Sequence, residues 1–332
     1  MTKYILLSIL LLLSCNCEEE EINELNIELF AEYENKINGQ PTLTIDNSKI
    51  PEIVILNNVP TLSSNCQNSR VCLTLSNVRF LQNGSAYEVL TEKSQTFEEN
   101  SGSYIKDIEN ELITSKSRSL DFVLVLDISN SLGLDEPKVK QYAKEFIDKI
   151  NLDLPNSKVG IVVFSDKIES LPLGNDYNAA KNFIDNKSGA NETKLFEAIN
   201  IGLDLLNNST ADGIALLTFT DGINNSWSDP LKFQTNNFIL NRLKQPINGI
   251  KVSSFCIGLA GATPTGALTS QLNELSLNGG FTEVAENSSV LQTTFTKFAS
   301  SVSSVYNLTY NRNNSFTSTP INLKFNLVLR KL

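Results

Sequence analysis

Leu120–Glu136 reads LDFVLVLDISNSLGLDE, and the fold turns on this stretch. Phe122 to Leu126 is an unbroken apolar run without polar alternation, the pattern of a strand covered on both faces. The run ends on Asp127 and passes through the loop DISNSLGLDE. Near Pro137 it becomes a helix, reaching Ile150, in which Val139, Ala143, Phe146 and Ile150 recur at helical spacing. Strand, loop and helix in that order form the first half of a βαβ unit, which calls for a mostly parallel sheet with helices on both faces.

The same texture continues outward. Lys158–Phe164 reads as a strand, Ile168–Leu173 as an edge strand, and Tyr177–Asn186 and Lys194–Asn207 as helices. The buried strand Ile214–Phe219 runs into Thr220-Asp221-Gly222, and KVSSFCIG places Cys256 in an apolar run as a core thiol. A last helix, Val290–Val305, carries Leu291, Phe295, Phe298, Val302 and Val305 as one apolar stripe. Residues 118–305 are therefore expected to form one doubly wound α/β domain.

Both flanks have a different period. Before residue 118 lie the short runs TLTI, EIVIL, VCLTLS and YEVLT, separated by Asn, Pro, Gly and Ser. After residue 305, Tyr306, Leu308 and Tyr310 alternate with polar residues, and Ile321, Leu323, Phe325, Leu327 and Leu329 share one face. The economical architecture is an antiparallel β domain built from residues 40–117 and 306–332, with the α/β domain inserted between them. A short separate C-terminal hairpin is the alternative.

Composition removes several function classes. None of the 332 residues is His, so imidazole cannot act as base, nucleophile activator or metal ligand. Lys and Arg total 27 against 37 Asp and Glu; the net charge of −10 repels phosphate backbones, so nucleic acid is not an expected partner.

The N-terminus, MTKYILLSILLLLSC, has a basic Lys3 and an apolar run from Ile5 to Leu13 too short to span a bilayer. Residues 1–14 read as a secretory signal. Leu12-Leu13-Ser14-Cys15 resembles the lipobox of bacterial lipoproteins, which implies lipidation of Cys15 and a place in the cell envelope, at the outer membrane and exposed at the surface. Glu18 to Glu21 then open an acidic tether, assigned to residues 15–39; it resembles the acidic surface-export signal of some lipoproteins. In such an oxidising compartment Cys66 and Cys72, flanking a short polar loop, are expected to form a disulfide.

The chemistry lies at strand ends. Asp127-Ile128-Ser129-Asn130-Ser131 follows the first strand, Thr193 precedes a helix, and Asp221 follows another buried strand, so all three segments converge on the rim where doubly wound sheets bind ligands. Together with FVLVLD, KVGIVVFSD, ETKLFEAI and LLTFTDG, these residues resemble the von Willebrand factor type A domain and its metal-ion-dependent adhesion site. The resemblance implies a divalent cation, Mg²⁺ or Mn²⁺, held directly by the hydroxyls of Ser129, Ser131 and Thr193 and mainly through water by Asp127 and Asp221. It further implies a ligand carrying an acidic group: a protein, or a matrix or glycan ligand. Two positions depart from the family pattern. Leu132 stands where methionine is common, and Gly189-Ala190-Asn191-Glu192-Thr193 replaces paired glycines and puts a carboxylate, Glu192, beside the threonine. Glu192 is a candidate ligand contact, as is Trp227, the sole tryptophan, in the Asn224–Pro230 loop. Adhesion or protein binding is the expected function. The alternative is a structural docking component of an envelope assembly with no metal-dependent ligand. An enzyme is not expected, because histidine and a Gly-x-Ser-x-Gly elbow are both missing.

Overall fold

The computed structural model describes residues 24–56, 60–62, 70–107, 111–116, 119–224, 236–261 and 265–332. The N-terminal strands are β1 (Glu24–Glu34), β2 (Thr42–Ile45), β3 (Val54–Leu56), β4 (Thr61–Leu62), β5 (Arg70–Gln82), β6 (Ser85–Val89), β7 (Gln95–Asn100), β8 (Ser103–Lys106) and β9 (Glu111–Lys116). Next come β10 (Leu120–Asp127), α1 (Glu136–Asp153), β11 (Val159–Phe164), β12 (Ile168–Gly174), α2 (Tyr177–Asp185), α3 (Leu195–Leu206) and β13 (Gly213–Thr220). The chain continues through α4 (Asn236–Lys244), β14 (Ser253–Leu259), α5 (Thr265–Leu275), β15 (Thr282–Ala285) and α6 (Ser288–Ser303), and closes with β16 (Tyr306–Asn313) and β17 (Ile321–Lys331).

Six strands form the α/β sheet in the order β12-β11-β10-β13-β14-β15, parallel except for β12 at one edge. All positions of β10 and β13 are buried, as the unbroken apolar runs require. Successive side chains point to opposite faces. Phe122, Leu124 and Leu126 accordingly pack with the apolar stripes of α1, α2 and α6, whereas Val123 and Val125 pack with α3, α4 and α5. From β10 the chain moves to β11 on one side and later returns as β13 on the other, which opens a crevice above the carboxyl ends of β10 and β13.

The second sheet has eleven strands and takes them from both ends of the chain, with its main path β2-β1-β17-β6-β5-β16-β9. β1 and β17 pair antiparallel from Glu24↔Arg330 to Tyr33↔Ile321. β9 and β16 pair from Lys116↔Tyr306, so the two crossings into the α/β domain lie side by side. Alternation, interrupted in β5 by a bulge where Val78 and Leu75 face Tyr306 and Leu308, directs Leu29, Tyr33, Leu73, Phe80, Leu308, Tyr310 and Phe325 into one core, where Tyr33 and Tyr310 meet edge to face at 5.6 Å.

Residues 24–34 correct the tether reading. Their Glu residues suggested a solvated run, but Ile27, Leu29, Ala31 and Tyr33 point inward while Glu28 and Glu32 face solvent, so the segment is an amphipathic strand. α4, α5 and β15 also went unread in the sequence. α6 begins at Ser288, two residues before the apolar stripe suggested, because the Asn287 side chain accepts from the N–H groups of Ser289 and Val290.

Cys72, on β5, is disulfide-bonded. Cys66, its expected partner, lies outside the described residues, as do Cys15, Glu18 to Glu21 and Trp227. Cys256 is free and buried in β14, where burial pushes its thiol up to about 12 against the pull of a Ser276 hydrogen bond. No helix among the described residues is long and apolar enough to cross a membrane.

Candidate metal centre

Asp127 ends β10 with no exposed surface, and both of its oxygens are occupied. Oδ1 accepts from the Ser129 N–H at 2.8 Å, and Oδ2 accepts from the Thr220 hydroxyl at 2.6 Å. The first bond folds the loop back over the strand end. The second ties β10 to β13, the two strands that flank the crevice. Burial pushes the Asp127 carboxyl up to about 6; bonds from Ser129 and Thr220 oppose the rise, and the charge of Asp221 adds to it.

A chain of short contacts runs along the rim. Ser129 Oγ lies 2.9 Å from Ser131 Oγ, and Ser131 Oγ donates to Asp221 Oδ1 at 2.9 Å. Ser129 and Asp221 are buried and Ser131 is exposed, so the chain opens to solvent at Ser131. The Asp221 carboxyl is raised by burial against the pull of the Ser131 bond. After Ser129 the chain makes a short 3-10 turn, Asn130–Asp135, in which Leu132 is buried in the core.

The Gly189–Thr193 loop closes over this turn. Asn130 N–H donates to Ala190 O at 2.8 Å, and the Asn130 amide donates to Asn191 Oδ1 at 2.8 Å. A Cβ on Gly189 would stand 1.5 Å from Ile128 O, so only glycine allows this approach. Thr193, buried at the end of the loop, follows directly from that seat. Glu192 pairs with Lys194 at 3.5 Å, which offsets the extra carboxylate beside the threonine. Lys194 also donates to the Asp166 carbonyl.

The structure thus joins Asp127, Ser129, Ser131 and Asp221 through hydrogen bonds and holds the Thr193 loop against the same turn. Sequence reasoning missed three supporting residues: Thr220, Asn130 and Lys194. Thr220 was within reach, since it adjoins Asp221 at the end of a strand beside β10. The contacts of Asn130 and Lys194 depend on loop path. Among the described residues no three Asp, Glu, His or Cys side chains converge. The set combines two carboxylates with hydroxyl oxygens, and such oxygen donors suit a hard divalent cation.

Residues 122–224 match the von Willebrand factor type A domain, and this chain contains a domain of that family. Among solved structures, the type A domain of the type V pili tip protein Mfa5 from Porphyromonas gingivalis is similar at 13% identity and a TM-score of 0.46, over 57% of this chain and 96% of that one. BatB from Bacteroides thetaiotaomicron is 20% identical with a TM-score of 0.40, over 55% of this chain and 98% of its own. The pilus adhesin SpaC from Lactobacillus rhamnosus GG is 13% identical with a TM-score of 0.47, over 90% of this chain and 49% of SpaC. No curated protein sequence matches the chain.

Proposed function

We propose that this is a lipid-anchored envelope or surface protein whose type A domain binds a protein ligand through a divalent cation and an acidic group of that ligand. The observation that carries the reading is the rim chain Ser129–Ser131–Asp221, built on a buried Asp127 whose two oxygens are already engaged. In this reading Ser129, Ser131 and Thr193 hold Mg²⁺ or Mn²⁺ directly. Asp221 holds it mainly through water, as does Asp127, which also keeps the hydroxyl loop in place. When bound, the cation supplies an open position for a carboxylate from outside. In a protein of net charge −10 it also offsets the repulsion that an acidic ligand would meet. The role is adhesion or protein binding rather than catalysis.

Calorimetric titration with Mg²⁺ and Mn²⁺ tests the site, and capture of surface ligands with and without EDTA tests its use. Binding of cation and EDTA-sensitive capture are expected. No heat at millimolar cation would remove the mechanism and leave the reading of a metal-independent docking component. The anchor is tested separately: Cys15→Ala is expected to abolish palmitate labelling and release the protein from the membrane fraction, and undiminished labelling would overturn it.

A further inference from the structure

We propose that Arg79 is a latch that joins the two domains into one cooperative unit, with the β domain supplying the C-terminal cap of α6. Arg79 lies on β5, opposite Ile55 of β3, and has no exposed surface. Its Nη1 donates to the carbonyls of Ser301 and Val302, both at 2.7 Å, and its Nε donates to Ser253 Oγ at the start of β14 at 3.1 Å. The guanidinium also stands over the Phe255 ring, 5.4 Å from its centre. One side chain of the antiparallel domain therefore holds a helix and a strand of the α/β domain.

The two carbonyls need this donor. A helix leaves its last carbonyls without partners and carries partial negative charge at that end. Val305, whose N–H would close the next turn on Ser301, bonds instead to Ser303 O at 3.0 Å, and Tyr306 already belongs to β16. Ser301 and Val302 are themselves buried, so water does not replace the guanidinium while the domains are docked. Among the described residues no carboxylate pairs with Arg79, and burial shifts it down to about 9. The helix end and the face of Phe255 offset part of the cost of burying the charge, while Nη2 is buried without a hydrogen-bond partner.

Apolar contact supplies area at the same junction. Leu81 and Ala86 belong to the α/β core, and a Cβ on Gly279 would stand 2.5 Å from Ile55. Such contact has no preferred direction. The bonds of Arg79 do, and they set the β domain against α6 in one orientation.

Arg79→Met keeps an apolar side chain and removes the donors. Calorimetry of the full chain is expected to show one transition for the wild type and two for this variant. Hydrogen exchange at Ser304, Val305 and Tyr306 is expected to rise at least about tenfold relative to β10 in the variant. That ratio separates loss of the latch from general destabilisation, which would raise exchange in both places together. Arg79→Lys, with a point charge in place of the fork, is expected to fall between. One transition with an unchanged exchange ratio in Arg79→Met would overturn the proposal. If that variant does not fold, Arg79→Lys is read in its place: a raised ratio there supports the latch and an unchanged ratio overturns it.

Discussion

The two sheets hold their cores in different ways. Every residue of β10 and β13 is buried, because helices cover both faces, whereas β1 and β16 bury alternate residues and leave the others half-buried or exposed. The parallel sheet is assembled from one continuous stretch of chain. The antiparallel sheet needs partners from opposite ends, and its Glu28–Lys324 ion pair joins residues 296 positions apart. The difference also places the site. Parallel strands end on the same side, so the loops after β10 and β13 meet on one rim; antiparallel neighbours send theirs to opposite ends.

Alanine scanning tests this contrast where its effect is largest. Leu124→Ala and Val125→Ala, on opposite faces of β10, are each expected to cost about 2–4 kcal/mol. In β1, Leu29→Ala is expected to cost about as much, whereas Asn26→Ala and Glu32→Ala stay within about 0.5 kcal/mol. Urea unfolding measures all five. Alternating costs in β10, or uniform costs in β1, would break the comparison.

Next in size is the link between β10 and β13. Thr220→Val removes the donor to Asp127 Oδ2 and is expected to weaken Mg²⁺ binding about 10–100-fold, measured by calorimetry, with the sheet intact by circular dichroism. Unchanged affinity would mean that the link serves only the sheet.

Asp127 also makes the site sensitive to pH. Its carboxyl titrates near 6 in the folded protein against 3.8 ordinarily, so between these values the folded state binds more protons than the unfolded chain. Its contribution to stability is therefore present below the lower value and is lost as pH rises through the upper one. A cation favours the ionised form, so Mg²⁺ affinity is expected to fall as pH drops through about 6. Thermal midpoints in EDTA and in saturating Mg²⁺, compared with Asp127→Asn, isolate this group. A Mg²⁺ stabilisation independent of pH in the wild type would contradict the assignment.

The smallest expected change is at Glu192. Because Lys194 pairs with it, Glu192→Gln is expected to alter Mg²⁺ affinity by less than about threefold. A larger change in the same titration would show that the carboxylate reaches the cation despite its partner.

Much of this could be read along the chain. FVLVLD, KVGIVVF and the stripe Leu291–Phe295–Phe298–Val302 each declare a buried strand or a core-facing helix, and Asp127, Ser129, Ser131 and Asp221 stand at strand ends where ligands bind. α5 was obscured because its polar Gln271, Asn273 and Glu274 dilute the pattern of Leu268, Leu272 and Leu275. β1 carried a clear period of two, but its glutamates follow an acidic run and concealed it.

Local patterns were enough to define the α/β domain and the residue types at its rim, since periodicity and strand ends are properties of neighbours in sequence; its strand order came from the tertiary structure. The pairing of β1 with β17, the approach of Gly189 to Ile128, the Lys194 partner of Glu192 and the Arg79 cap on α6 were decided only by the tertiary structure. Each depends on which distant groups meet once water is excluded, and a pattern of nearby residues does not contain that information.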